Sequence, residues 1–245
     1  RLSGVSVNPA PQGFFLNKKM SRSPLFSIVM PTRNRANILP HALQSALEQT
    51  LDDYEIIVSD NNSTPETQEV VRQFADPRIR YVRVERTLAM SDSWEFALSH
   101  ARGEYVTILS DDDAVSPTML ARLDGLLQDR PKKLLSWIRY LYVMPDWYDE
   151  SIRNKLFLAP VSGQADERSS ESMLRLWFDG CHYYSNAPMI FNSCCHRSII
   201  ECAKTKNGRL FLGAAPDIAS SLVLLSEVPT FTFVASFECI VSVGA

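Results

Sequence analysis

Between residues 26 and 130, short apolar runs rich in β-branched residues alternate with stretches whose apolar positions repeat at helical spacing. The runs at 26–30, 54–59, 79–84 and 105–109 predict strands. The stretch 36–49 carries Ile38, Leu39, Ala42, Leu43, Ala46 and Leu47, an apolar stripe along one face of a helix. Thr64 followed by Pro65 predicts an N-cap and a first helical residue for a helix over 65–74. Asp92 and Glu95 stand at capping-box spacing ahead of Phe96, Ala97 and Leu98, and Pro117 after Ser116 opens a further helix. Strand and helix in alternation predict an α/β fold with a mostly parallel central sheet flanked by helices.

Past residue 131 the periodicity weakens. Residues 133–144, 189–191 and 230–243 read as strands, and 171–178 and 216–225 as helices. Residues 145–168 mix aromatic, proline, glycine and charged residues without a period and read as a long loop of the kind that forms lids or acceptor-binding segments. The expected organisation is a tail over 1–24, a first half over 25–130 and a less regular second half of the same domain over 131–245. Because a strand-like run ends directly before Gly244 and Ala245, the natural chain is expected to continue.

Composition narrows the partners. A net charge of -3 without a Lys/Arg block argues against nucleic acid or an anionic membrane as the main ligand. Five cysteines, an odd number with no Cys-x-x-Cys pair, read as reduced thiols, and adjacent Cys194 and Cys195 as the two faces of one buried strand. No apolar run is long enough for a membrane-spanning helix. The segment before Pro24 lacks the apolar core of a signal peptide.

The chemistry concentrates in three loops expected at the carboxyl edge of the sheet, where open α/β sheets bind ligands. They are Pro31-Thr32-Arg33-Asn34-Arg35, Asp60-Asn61-Asn62-Ser63 and Asp111-Asp112-Asp113. Three adjacent carboxylates at the end of a buried strand raise one another's pKa unless a counter-ion is present, and a hard divalent cation with oxygen ligands is the natural partner. Short polar side chains in the other two loops suit a nucleobase and ribose. Arg33 and Arg35 read equally as phosphate ligands or solvated charges, and Asn61 and Ser63 as turn formers. Aromatics at Trp147, Tyr148, Trp177, Phe178, Tyr183 and Tyr184 are candidates for a sugar platform or for core.

The segments FSIVMPTRNR, IIVSDNNSTPET and GEYVTILSDDD, in that order, resemble the motifs of the family-2 glycosyltransferases of the GT-A fold. The likeness runs from Phe26 to about Arg130. It implies a GT-A type, Rossmann-like sheet and a metal-dependent, inverting transfer of a sugar from a nucleotide-diphosphate donor to a saccharide or lipid-linked acceptor. Carried over by residue, it implies that Asp60 holds the base, with Pro31, Thr32, Arg33 and Asn62 beside it. Met90 and Trp94 then lie over the donor, and Asp111 and Asp112 near the ribose and phosphates. Asp113 is implied as the ligand of Mn²⁺ or Mg²⁺. The resemblance places the catalytic base near the start of a late helix, which selects Asp217, with Asp179, His182 and Glu171 in reserve. Ser110, Arg33 and the Asn61-Asn62 pair depart from the family's pattern. The resemblance further implies a cytoplasmic enzyme at the inner face of the membrane, peripherally associated, without indicating an oligomeric state. A sugar-nucleotide pyrophosphorylase is the alternative enzyme, disfavoured because 31–35 has no glycine; a nucleotide-sugar-binding module without turnover is the non-enzymatic one.

Overall fold

The computed structural model describes residues 23–128, 133–180 and 187–244. Strands β1 (Phe26–Thr32), β2 (Tyr54–Asp60), β3 (Ile79–Arg83) and β4 (Tyr105–Ile108) form the expected parallel unit in the order β3-β2-β1-β4. Register decides what meets at the edge: Thr32 lies opposite Asp60, and Val29 opposite Ile108. The chain therefore leaves β1, β2 and β4 at neighbouring points, and the three polar loops are brought side by side.

The second half extends the sheet antiparallel. β9 (Ser193–His196) pairs with β4 and with β6 (Leu134–Val143), which runs parallel to β10 (Thr230–Val243). Three short strands complete the sheet: β5 (Ala114–Val115) and β8 (Ala165–Ser169) on β10, and β7 (Leu156–Phe157) on β6. Burial on both faces explains the continuous apolar runs in β1 and β2. Ile28 and Met30 pack with Ile56 and Val58 under helices α1 (Leu39–Leu47), α2 (Pro65–Gln73) and α4 (Met119–Leu127). Val29, Ile57 and Ile108 face the other layer, where α3 (Met90–Ser99), α6 (Arg197–Asn207) and α7 (Pro216–Glu227) lie, with α5 (Ser170–Phe178) packed on α7. Cys194 joins the first cluster and Cys195 the second, as alternation along one strand requires. Cys239 is also buried and Cys202 is exposed, whereas Cys181 lies outside the described residues.

Several boundaries differ from the sequence expectation. Helix α1 begins at Leu39 rather than 36 because the Arg35 carbonyl accepts the Ile38 and Leu39 amides in a preceding turn, with proline in the first helical turn. No capping box forms at Asp92 and Glu95: α3 starts at Met90 after Ala89, and both acids face the second half of the chain. Residues 190–192 form a 3-10 turn, and the strand begins at Ser193. The loop expected over 145–168 contains β7 and most of β8; β7 is an exposed Leu-Phe pair too short to show a period and β8 is polar, so both depend on pairing with β6 and β10. Helix α6 was not expected; its Gly208 C-cap, at φ 76°, and the lysines of its last turn were the available signals.

Gly103 fixes the start of β4. A Cβ there would lie 2.6 Å from the Phe26 carbonyl carbon and 2.7 Å from Ser27 Oγ, so only glycine fits. The same Ser27 hydroxyl accepts the Gly103 amide and donates to Glu55, at 2.7 and 2.8 Å.

Candidate active site

The three loops and the first turns of α3 enclose a cleft of about 340 Å³, in the size range of a small-molecule site. The first loop supplies Pro31, Thr32, Arg33 and Arg35; the third supplies Ser110, Asp111 and Asp112. Leu88, Met90, Ser93 and Trp94 form the opposite wall. Of the residues singled out in the sequence, Pro31, Thr32, Arg33, Met90, Trp94, Asp111 and Asp112 are thus gathered at one place.

Asp60 and Asn62 stand behind this wall rather than in it. Asp60 is fully buried: Oδ1 accepts the Ser63 amide at 2.7 Å, and Oδ2 accepts both the Tyr81 hydroxyl and Arg83 Nη1, the latter at 2.8 Å. Arg83 also donates to Asn62 Oδ1 at 3.0 Å and to the Ser63 carbonyl at 2.7 Å, fastening a loop in which Asn62 adopts φ 58°. The residue this presents to the cleft is Asn61. Its side chain is paired reciprocally with Leu88: Nδ2 donates to the Leu88 carbonyl at 3.0 Å and the Leu88 amide donates to Oδ1 at 2.8 Å. Asn61 reads as a turn former in sequence; its placement depends on a partner 27 residues away, which local pattern does not reveal.

The aspartates divide. Thr32 donates to Asp111 Oδ2 at 2.6 Å, and Arg35 lies 3.4 Å from Asp112 Oδ2. Burial pushes the Asp111 carboxyl up to about 6; the Thr32 hydrogen bond opposes this and the Asp112 charge adds to it. Burial also raises Asp112, against the pull of Arg35. Asp113 lies on a different wall. Its Oδ1 accepts the Ser242 amide at 2.7 Å, and it lines a second, largely apolar cavity of about 510 Å³ with Ile38, Met144 and Ile240. Burial, with the Asp112 charge next, pushes its carboxyl up to about 8. Asp112 alone of the triplet borders both cavities.

Among the described residues, no three His, Cys, Asp or Glu side chains converge as a metal cluster. The Asp111–Asp112 pair nevertheless fits a hard divalent cation. Its donors are oxygens, burial raises both carboxyls against the pull of Arg35, and Mg²⁺ characteristically takes one or two carboxylates with substrate phosphates and water as its remaining ligands.

Asp217 is half-exposed in the first turn of α7, outside the cleft wall. Glu171 and Arg175 form an exposed pair on α5, Asp179 ends that helix, and neither reserve acid lines the cleft. His182, Tyr183 and Tyr184 lie outside the described residues. Tyr148 and Phe178 are largely exposed, Tyr148 against Trp147 with ring centroids 4.7 Å apart.

The family model of glycosyl transferase family 2 matches residues 27–191. The putative colanic acid biosynthesis glycosyl transferase WcaA of Escherichia coli K12 is 36% identical over 104 residues, 42% of this chain and 37% of that protein. The GalNAc(5)-diNAcBac-PP-undecaprenol beta-1,3-glucosyltransferase of Campylobacter jejuni is 38% identical over 103 residues, 41% of this chain and 33% of that protein. The chain thus spans about a third of the length of either relative. The structure of S. aureus TarS 1–349 with UDP-GlcNAc superposes with a TM-score of 0.69 over 90% of this chain and 59% of that one, at 16% identity, a likeness of fold.

Proposed function

The chain belongs to glycosyl transferase family 2, and from that premise we propose that it transfers a sugar from a nucleotide-diphosphate donor, seated in the cleft between Asn61 and Asp112, to a saccharide or lipid-linked acceptor. The observation that carries the proposal is the convergence in one cleft of short polar side chains from two loops with the buried Asp111 and half-buried Asp112 carboxylates of the third. Relatives named for undecaprenol-diphosphate acceptors favour the lipid-linked class. With such an acceptor the enzyme would work from the cytoplasmic face of a membrane as a peripheral protein.

In this reading Asn61 and the loop behind it hold the nucleobase, and Arg33 and Arg35 face the phosphates. Trp94 and Met90 cover the donor. Thr32 fixes the Asp111 carboxylate, and Asp112 is the ligand of Mn²⁺ or Mg²⁺, because it reaches the cleft while Asp113 is engaged with Ser242. When bound, the cation supplies Lewis-acid stabilisation of the charge that grows on the leaving diphosphate, worth several kcal/mol. Asp217 takes the proton of the attacking hydroxyl. That hydroxyl forms the new bond to the anomeric carbon from the side opposite the departing phosphate oxygen, which inverts the configuration.

The test is release of nucleoside diphosphate from a panel of UDP-, GDP- and dTDP-sugars with Mn²⁺ and a lipid-linked saccharide. Turnover by the wild-type chain that is lost in Asp112→Ala and in Asp217→Asn supports the proposal. Donor binding without turnover, or pyrophosphate-dependent formation of nucleoside triphosphate, contradicts it.

A further inference from the structure

The donor cleft and the helix carrying Asp217 come from different halves of the chain, yet a transfer needs them aligned to within about an ångström. Helix α3 joins them. Its first turns give the cleft Met90, Ser93 and Trp94, while its other side grips the segment leading into α7. Glu95 is central: Oε1 accepts the amides of both Leu210 and Phe211, the second at 2.9 Å, and Oε2 accepts Lys204 Nζ at 2.9 Å. Asp92 pairs with Arg209 at 2.7 Å, the Ser91 hydroxyl donates to the Gly213 carbonyl, and Trp94 meets Phe211 edge-on with centroids 5.4 Å apart. Leu210 and Phe211 are fully buried, and five residues separate Phe211 from Asp217.

A surface helix needs no such investment to stay folded. The apolar face of α3, with Ala97 and Leu98, already packs in the core. Its two acids instead bind backbone and cations 109 to 117 residues on, roughly one turn from the wall that covers the donor. A carboxylate that accepts two consecutive amides fixes the direction of the chain at that point, because both N–H vectors must aim at one oxygen.

We propose that Glu95 is a positioning residue for catalysis: it holds the 209–213 segment against α3 and thereby sets Asp217 in register with the donor cleft. The inference rests on the reading of Asp217 as the base. Glu95 lines no part of the cleft, so its loss acts on the rate and not on donor binding.

The experiment compares kcat, donor KM and nucleoside-diphosphate affinity in the whole chain for wild type, Glu95→Ala, Glu95→Gln, Lys204→Met and Asp217→Asn, and adds the Glu95→Ala/Asp217→Asn double variant. Glu95→Ala is expected to lower kcat about 10- to 100-fold while donor KM and nucleotide affinity stay within about threefold. Glu95→Gln keeps an oxygen for both amides and recovers most of the rate, and Lys204→Met matches wild type. In the Asp217→Asn background the alanine substitution adds little, because it acts through the residue already removed. Equal kcat in Glu95→Ala and wild type, or full multiplication of the two effects in the double variant, overturns the inference while leaving the proposed function standing. Wild-type turnover by Asp217→Asn overturns the reading of the base. Should Glu95→Ala lose its circular-dichroism signature, Glu95→Asp, one methylene shorter, takes its place with the same expected loss in kcat alone, and an unchanged kcat there is equally decisive against it.

Discussion

Asn61→Ala removes the reciprocal pair with Leu88 and so frees the loop over 85–88, whose Leu88 lines the cleft. Two hydrogen bonds are lost, at 3.0 and 2.8 Å, from a side chain that is only 7% exposed. At about 1 kcal/mol net for each, the loop's opening equilibrium shifts by about 2 kcal/mol, or about 30-fold. Arg86 lies exposed within this loop, so limited trypsinolysis reads the opening directly. Cleavage tracks the population of the open form when opening is fast relative to cutting. Scission after Arg86 should accelerate about 10- to 30-fold in Asn61→Ala, with scission after Lys155, between β6 and β7 and without contact to the Asn61–Leu88 pair, as internal control. Asn61→Asp keeps the acceptor for the Leu88 amide but turns an oxygen toward the Leu88 carbonyl, and should fall at or beyond the alanine value. An Arg86 cleavage rate within twofold of wild type in both variants would refute the claim that this pair holds the wall.

Other consequences are as direct. Gly103→Ala drives a methyl group into the backbone of β1 and should cost about 3 kcal/mol or more, seen as a lower urea midpoint; an unchanged midpoint would show that β1 and β4 are spaced differently. Glu238 is buried in β10 beside Arg122 and Ser236, and burial holds its carboxyl above the ordinary range despite them. The native state therefore keeps a proton that the unfolded chain releases, so this group's contribution to stability falls as pH rises from about 4.5 through the raised value. Glu238→Gln should flatten that fall in urea titrations between acid and neutral pH, and an identical pH dependence would contradict it. Asp113→Asn retains an acceptor for the Ser242 amide and should leave nucleoside-diphosphate affinity in Mn²⁺ within about threefold, whereas Asp112→Ala should abolish the Mn²⁺ dependence of that affinity.

The first half of the fold is legible because β1, β2 and β4 are buried on both faces and so are dominated by apolar residues, and because Thr64-Pro65 marks a helix start. The site was legible as three loops, since parallel strands deliver their carboxyl ends to one edge. What sequence did not show is which side chain in each loop turns inward. Asp60 is the more acidic and conspicuous residue, but Arg83 and Tyr81 from the neighbouring strand take it, and Asn61 faces the cleft instead. Likewise Asp113 and Asp112 are indistinguishable by composition and are separated only by an amide 129 residues away. The capping-box spacing of Asp92 and Glu95 matched a local rule while both residues were engaged by distant partners. The three cases share a physical origin: a long-range hydrogen bond to a charged or backbone group sets where the side chain goes, and a short-range pattern does not carry that information.

The most direct measurement of the donor site is a crystal soaked with nucleotide sugar and Mn²⁺, read by anomalous scattering. The account predicts the nucleobase beside Asn61, the sugar under Trp94 and the manganese peak on an Asp112 oxygen. A manganese peak on Asp113 in the apolar cavity, or a nucleotide bound away from the 31–35 loop, would contradict it.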